Sequence, residues 1–84
     1  MRLKKTFVVN QVGGETIVVP ITGDFNGVAK TNDIGGFILE CLKEDVSIEE
    51  IVDRVFAEYD APRDKIQADV EKLISQLREI DAIE

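Results

Sequence analysis

A chain of 84 residues allows one domain, residues 1–84, and one modest core, because so small a fold buries only about 60% of the surface its unfolded form exposes. Its 44% hydrophobic and 32% charged residues group it with soluble globular proteins and not with disordered ones. One cysteine and no histidine exclude an internal disulfide and the usual Cys/His zinc sets.

Residues 1–32 carry a net charge of +2, whereas residues 33–84 carry fifteen acids against six bases, a net of −9. Binding to nucleic acid normally needs a basic face that neutralises phosphates, so the second part repels a duplex. The basic start Met1-Arg2-Leu3-Lys4-Lys5 is followed by no apolar run of signal-peptide length. No stretch approaches the roughly 20 apolar residues that span a bilayer. The expected location is therefore the cytoplasm, with no membrane partner.

In chain order, Thr6–Val12 and Glu15–Ile21 are rich in β-branched residues and flank Gly13-Gly14. That composition predicts a hairpin closed by a two-residue primed turn. The turn pairs Val8 with Val19 and Asn10 with Ile17 on one face, and Phe7 with Pro20 and Val9 with Val18 on the other. One face covers the helices. Phe7, Val9 and Val18 are expected on the outer face, where an apolar surface permits a dimer, so the chain is read as a monomer or weak homodimer. Pro20 lacks an N–H and favours a sheet edge or strand end. Thr22–Gly27 reads as a loop, and Val28–Thr31 as a short third strand.

Three amphipathic helices follow. Asn32 or Asp33 caps the first, whose stripe is Ile34, Phe37, Ile38, Cys41 and Leu42. Gly35 and Gly36 weaken its first turn by roughly 1 kcal/mol each relative to Ala, and their use is close approach to the sheet. Ser47 and Glu50 form a capping box for the second helix. Its buried face is predicted as Ile48, Ile51, Val52, Val55, Phe56 and Tyr59. Pro62 suits the first turn of the third helix, with Asp60 or Ala61 near its cap. The third stripe is Ile66, Val70, Leu73, Leu77 and Ile80, widened to one side by Ile74. The fold class expected is α+β and winged-helix-like: three N-terminal antiparallel strands followed by three helices.

Nothing in this pattern suggests catalysis. The acids Glu40, Glu44, Asp53, Glu58, Asp69 and Glu71 fall on helix exteriors, as a solvated face requires. Cys41 shares a stripe with Phe37 and Ile38 and reads as a buried thiol with no histidine to activate it. Ser47 is occupied as a cap. The glycines do not form a phosphate loop. An acyl-carrier role fails because the serine setting is Val46-Ser47-Ile48 and the first third of the chain is β. A winged-helix-type DNA-binding or regulatory module is the alternative reading, supported by layout and opposed by charge. No catalytic residue, metal ligand or cofactor is expected.

One resemblance extends over nearly the whole chain. Val18-Val19-Pro20, Asp24-Phe25-Asn26-Gly27 and Thr31–Ile38 resemble the strand–loop–helix joint of the PqqD-like proteins, small peptide-modification chaperones also called RiPP recognition elements. Ser47–Val52 with Ala57–Asp60 looks like that family's second helix, and Asp69–Leu77 like its third. Thr31 stands where the family usually has Leu, and Asp81 where a Gly commonly ends the third helix. The resemblance implies non-catalytic binding of the leader segment of a ribosomally made precursor peptide and its presentation to a modifying enzyme, often a radical SAM enzyme. It implies that the leader adds as a strand beside the third strand and lies against the third helix. On that reading Val28, Ala29, Lys30 and Thr31 are the pairing edge, and Ile66, Val70, Leu73 and Ile74 the apolar wall. Lys30 is placed to pair with an acidic leader residue.

Overall fold

The computed structural model describes residues 1–21 and 29–84, with the backbone alone at 29 and 30. The predicted loop Thr22–Gly27 and Val28, the first residue of the predicted third strand, lie outside the described residues. Three strands, β1 (Phe7–Val12), β2 (Glu15–Pro20) and β3 (Ala29–Thr31), precede three helices, α1 (Asp33–Cys41), α2 (Ile48–Glu58) and α3 (Arg63–Glu79). The sheet is antiparallel in the order β1-β2-β3.

The hairpin register is the one the two-residue turn dictates: Val8 opposes Val19, Val9 opposes Val18 and Val12 opposes Glu15. Gly13 holds φ at +64°, the left-handed conformation that a primed turn requires. The burial of the two faces reverses the expectation. Thr16 and Val18 are 2% and 0% exposed, so the face carrying Phe7, Val9 and Val18 meets the helices. The outer face carries Val8, Val12, Ile17 and Val19, with Val12 as much as 62% exposed. The cause lies in α1. A side-chain carbon added at Gly36 would stand 3.0 Å from the Thr16 hydroxyl, and one at Gly35 would clash outright with the Thr31 side chain. Two successive glycines thus let the first turn of α1 lie directly on the Thr16/Thr31 side of the sheet.

This close approach makes a test. Gly35→Ala forces Thr31 or the α1 backbone to move. Overpacking of this kind costs about 1–3 kcal/mol, against the roughly 1 kcal/mol that Ala gains over Gly within a helix. Net destabilisation is expected in urea unfolding; unchanged or higher stability would show that β3 retreats from α1 freely.

The helix ends follow the sequence with one shift. Asn32 accepts the Gly35 N–H at 3.0 Å and is the cap of α1, leaving Asp33 as its first residue. Ser47 and Glu50 make both bonds of the capping box, at 3.1 and 3.2 Å. Pro62 sits at the N-cap of α3, one position earlier than expected, and its carbonyl accepts the Ile66 N–H at 3.1 Å. At the other end Asp81 adopts φ +58°. The Ala82 N–H bonds the Leu77 carbonyl and the Asp81 N–H that of Arg78, a Schellman closure in which Asp stands where Gly is usual.

The core is one cluster shared by sheet and helices: Val18 from β2, Ile38 and Leu39 from α1, Ile51, Val52 and Val55 from α2, and Ile66, Val70, Ile74 and Leu77 from α3. Phe37 and Tyr59 meet edge to face with ring centres 5.7 Å apart. Phe56, predicted in the buried face of α2, is instead 49% exposed and lies under the Arg63 guanidinium at 5.7 Å. At 100° per residue it falls roughly 80° from the centre of its stripe, at the margin where burial ends.

Residues 1–4 hold the two ends of the helical part together, which the sequence did not signal. Leu3 donates to the Leu42 carbonyl and Lys4 to that of Ala82, while Val46 and Glu84 donate back to Met1 and Arg2. The terminal amine bonds the Asp45 carboxylate at 2.6 Å. That hydrogen bond first, and the amine's charge second, hold the Asp45 carboxyl below the ordinary carboxylate range. A carboxyl with a lowered native pKa stabilises the fold above its unfolded-state pKa and loses that contribution as pH falls through the native value. Asp45→Asn is expected to reduce stability slightly at pH 7 and not at pH 2, the effect being small because the carboxylate is 81% exposed. Urea midpoints at the two pH values check this.

Candidate functional site

The hairpin determines which way every backbone group in the sheet points. Residues flanking a two-residue turn exchange both hydrogen bonds, so Val12 and Glu15 are a bonded pair, and bonded pairs recur at every second residue. Ile17 and Val19 therefore turn their amides and carbonyls toward β1. The Ile21 N–H bond to the Thr6 carbonyl at 2.8 Å continues the same alternation. Thr16 and Val18 then face β3, where they oppose Thr31 and Ala29. Lys30, between them, must direct its N–H and C=O away from β2. Among the described residues no strand pairs with that outer side of β3.

Asn32 ends this edge, since its carbonyl takes the Gly36 N–H at 2.8 Å and its side chain caps α1. Beside the edge a groove of about 350 Å³ runs between the β3–α1 joint and α3. Its floor and near wall are Thr31, Ile34, Gly35 and Ile38; its far wall is Lys65, Asp69, Lys72, Leu73 and Gln76.

Of the wall residues expected from α3, Leu73 lines this groove, although it too is buried, at 5% exposed. Ile66, Val70 and Ile74 are 2%, 0% and 1% exposed and belong to the core. Helix geometry explains the division. Relative to the centre of the apolar stripe, Ile74 lies roughly 55° to one side and Leu73 roughly 45° to the other at 100° per residue. The groove opens on the Leu73 side. Widening of the stripe by Ile74 marks instead the flank where α3 packs against its other neighbours. Lys65, Asp69, Lys72 and Gln76 fall within a band roughly 60° wide by the same rule. This polar stripe at i, i+4, i+7 and i+11 was readable but resembles any solvated helix face. Of the edge residues, Ala29, Lys30 and Thr31 form β3 and Val28 lies outside the described residues.

A larger hollow of about 900 Å³ lies elsewhere, between β1 and α1, and includes Lys5, Phe7, Phe37 and Tyr59 but no residue of β3 or α3. Size alone favours it. The β3 groove is the better candidate because it joins outward backbone groups to a confining helix, which suits an extended polypeptide. Chemistry of another kind finds little support. Among the described residues no group of three acids, cysteines or histidines could hold a metal ion, and Cys41 is buried. Among the described helices none is long and apolar enough to cross a membrane.

A family model described as "Coenzyme PQQ synthesis protein D (PqqD)" matches residues 4–83. No curated protein matches the sequence. The solved structure of TbiB1 in complex with the TbiA(beta) leader peptide is similar, with 25% identity, coverage of 100% of this chain and 95% of that one, and a TM-score of 0.77. Lasso peptide synthetase B1 complexed with the leader peptide shares the fold, with 22% identity, coverage of 93% and 89%, and a TM-score of 0.71.

Proposed function

The chain belongs to the PqqD family, and from that membership we propose that it is a non-catalytic chaperone for the leader segment of a ribosomally synthesised precursor peptide. Residues 1–84 act as a single peptide-binding domain. The leader adds as a strand to the edge Val28, Ala29, Lys30 and Thr31 and rests against α3. Leu73 supplies the apolar contact at the groove lining, and Ile66, Val70 and Ile74 hold the wall from behind. The protein presents the bound leader to a modifying enzyme, a radical SAM enzyme in this reading, in the cytoplasm where the precursor is made. The winged-helix-like order of strands and helices serves here to set a strand edge beside a helix, and no finding favours the DNA-binding alternative.

The observation that carries this reading is the outward N–H and C=O of Lys30 at an edge flanked by the α3 groove. Two similar proteins were solved as complexes with leader peptides, which supports the same class of ligand. The direct experiment is calorimetric titration with synthetic leader and core segments of the precursor peptide, sought among the genes neighbouring this one. The leader is expected to bind and the core segment not to; a folded protein that binds neither removes the reading.

A further inference from the structure

The α3 wall of the groove is cationic in a protein that is not. Residues 33–84 carry a net of −9, yet the groove contains two ammonium groups, Lys65 and Lys72, and one carboxylate, Asp69. Lys72 is in no ion pair among the described residues, and Lys65 reaches Asp69 only at 3.9 Å. Among the described residues Arg2, Lys4, Lys43, Arg54 and Arg63 are each engaged with a carboxylate, whereas Lys5 and Arg78 are not. The surrounding acidic helices repel an anionic ligand, so within this groove these two lysines are where such a ligand gains most.

Strand geometry says which ligand residues meet them. The peptide residue opposite Lys30 lies on the outer face of the sheet, the face of Ile17 across from it in β2. Its neighbours on either side share the inner face, that of Thr16, Val18 and Thr31, and turn toward α3. We infer that the groove selects extended peptides carrying Asp or Glu at these alternate, α3-facing positions, paired with Lys72 and Lys65, and an apolar residue at a like position against Leu73. The inference rests on the peptide-binding reading above and adds the ligand's charge pattern to it.

The test pans a phage-displayed library of random 12-residue peptides against the whole 84-residue protein and resynthesises the selected peptides. Expected are peptides whose binding is lost with Lys30→Pro, which are enriched in acids at alternate positions. The double variant Lys65→Glu/Lys72→Glu, checked for folding by circular dichroism, should weaken them by roughly five- to tenfold at low salt, as for two exposed charge pairs. Lys65→Gln/Lys72→Gln should give a smaller loss, and added salt should shrink both. Peptides that need Lys30 but lack acids, or that ignore both double variants, overturn the charge inference and leave strand addition standing. If no selected peptide depends on Lys30, the peptide-binding reading itself falls and takes this inference with it.

Discussion

A Lys30→Pro protein is expected to fold as the parent does and to lose peptide affinity by about ten- to a hundredfold. Proline removes the one described β3 amide that faces away from β2, and its ring stands where an added strand must come. Loss of one such bond accounts for about a factor of ten at most; the ring's obstruction supplies the remainder. The neighbouring substitution behaves differently. Ala29 donates toward Val18, so Ala29→Pro breaks the sheet and should lower stability, not affinity alone. A second control lies at the opposite edge, where the same alternation turns the Val9 amide outward. Val9→Pro should leave binding unchanged. Loss of binding with Val9→Pro and not with Lys30→Pro would place the peptide over the β1–α1 hollow, and the β3 account would be wrong.

Ile74→Glu is expected to unfold the protein, or nearly so. Ile74 is 1% exposed within the core, and a carboxylate there finds no partner charge. An uncompensated buried charge costs about 3–5 kcal/mol, a large share of the stability of so small a domain. The melting temperature should fall by about 15 °C or more, given a shift of about 4–8 °C per kcal/mol for domains of this size. Any loss of binding in this variant then reports unfolding. A protein with Ile74→Glu that melts near the parent temperature would show that the side chain swings out toward solvent, returning it to the list of groove contacts.

Much of the fold was legible because single local rules decided it. The Gly13-Gly14 turn admits one register, and that register carries through to Lys30. The Ser47/Glu50 box marks the start of α2. The rest depended on tertiary placement. Both hairpin faces are apolar, so periodicity could not choose between them. Contact of Gly35 and Gly36 with Thr31 and Thr16 made the choice. The segment Met1–Lys4 has no regular pattern, and its role comes from backbone bonds to Leu42, Val46 and Ala82. For the groove, the edge was easier to see than the wall. An apolar stripe names the residues that face the core, whereas a ligand meets the flank beside it. On α3 that flank is Lys65, Asp69, Lys72 and Gln76 with Leu73 at its border.

The central claim is that the outward backbone of Lys30 receives the peptide. Amide hydrogen exchange followed by NMR, with and without saturating leader peptide, reads that group directly. The account predicts fast exchange at Lys30 in the free protein and strong protection on binding, with the Val9 amide unaltered. A bound complex in which the Lys30 amide exchanges as rapidly as before would contradict it.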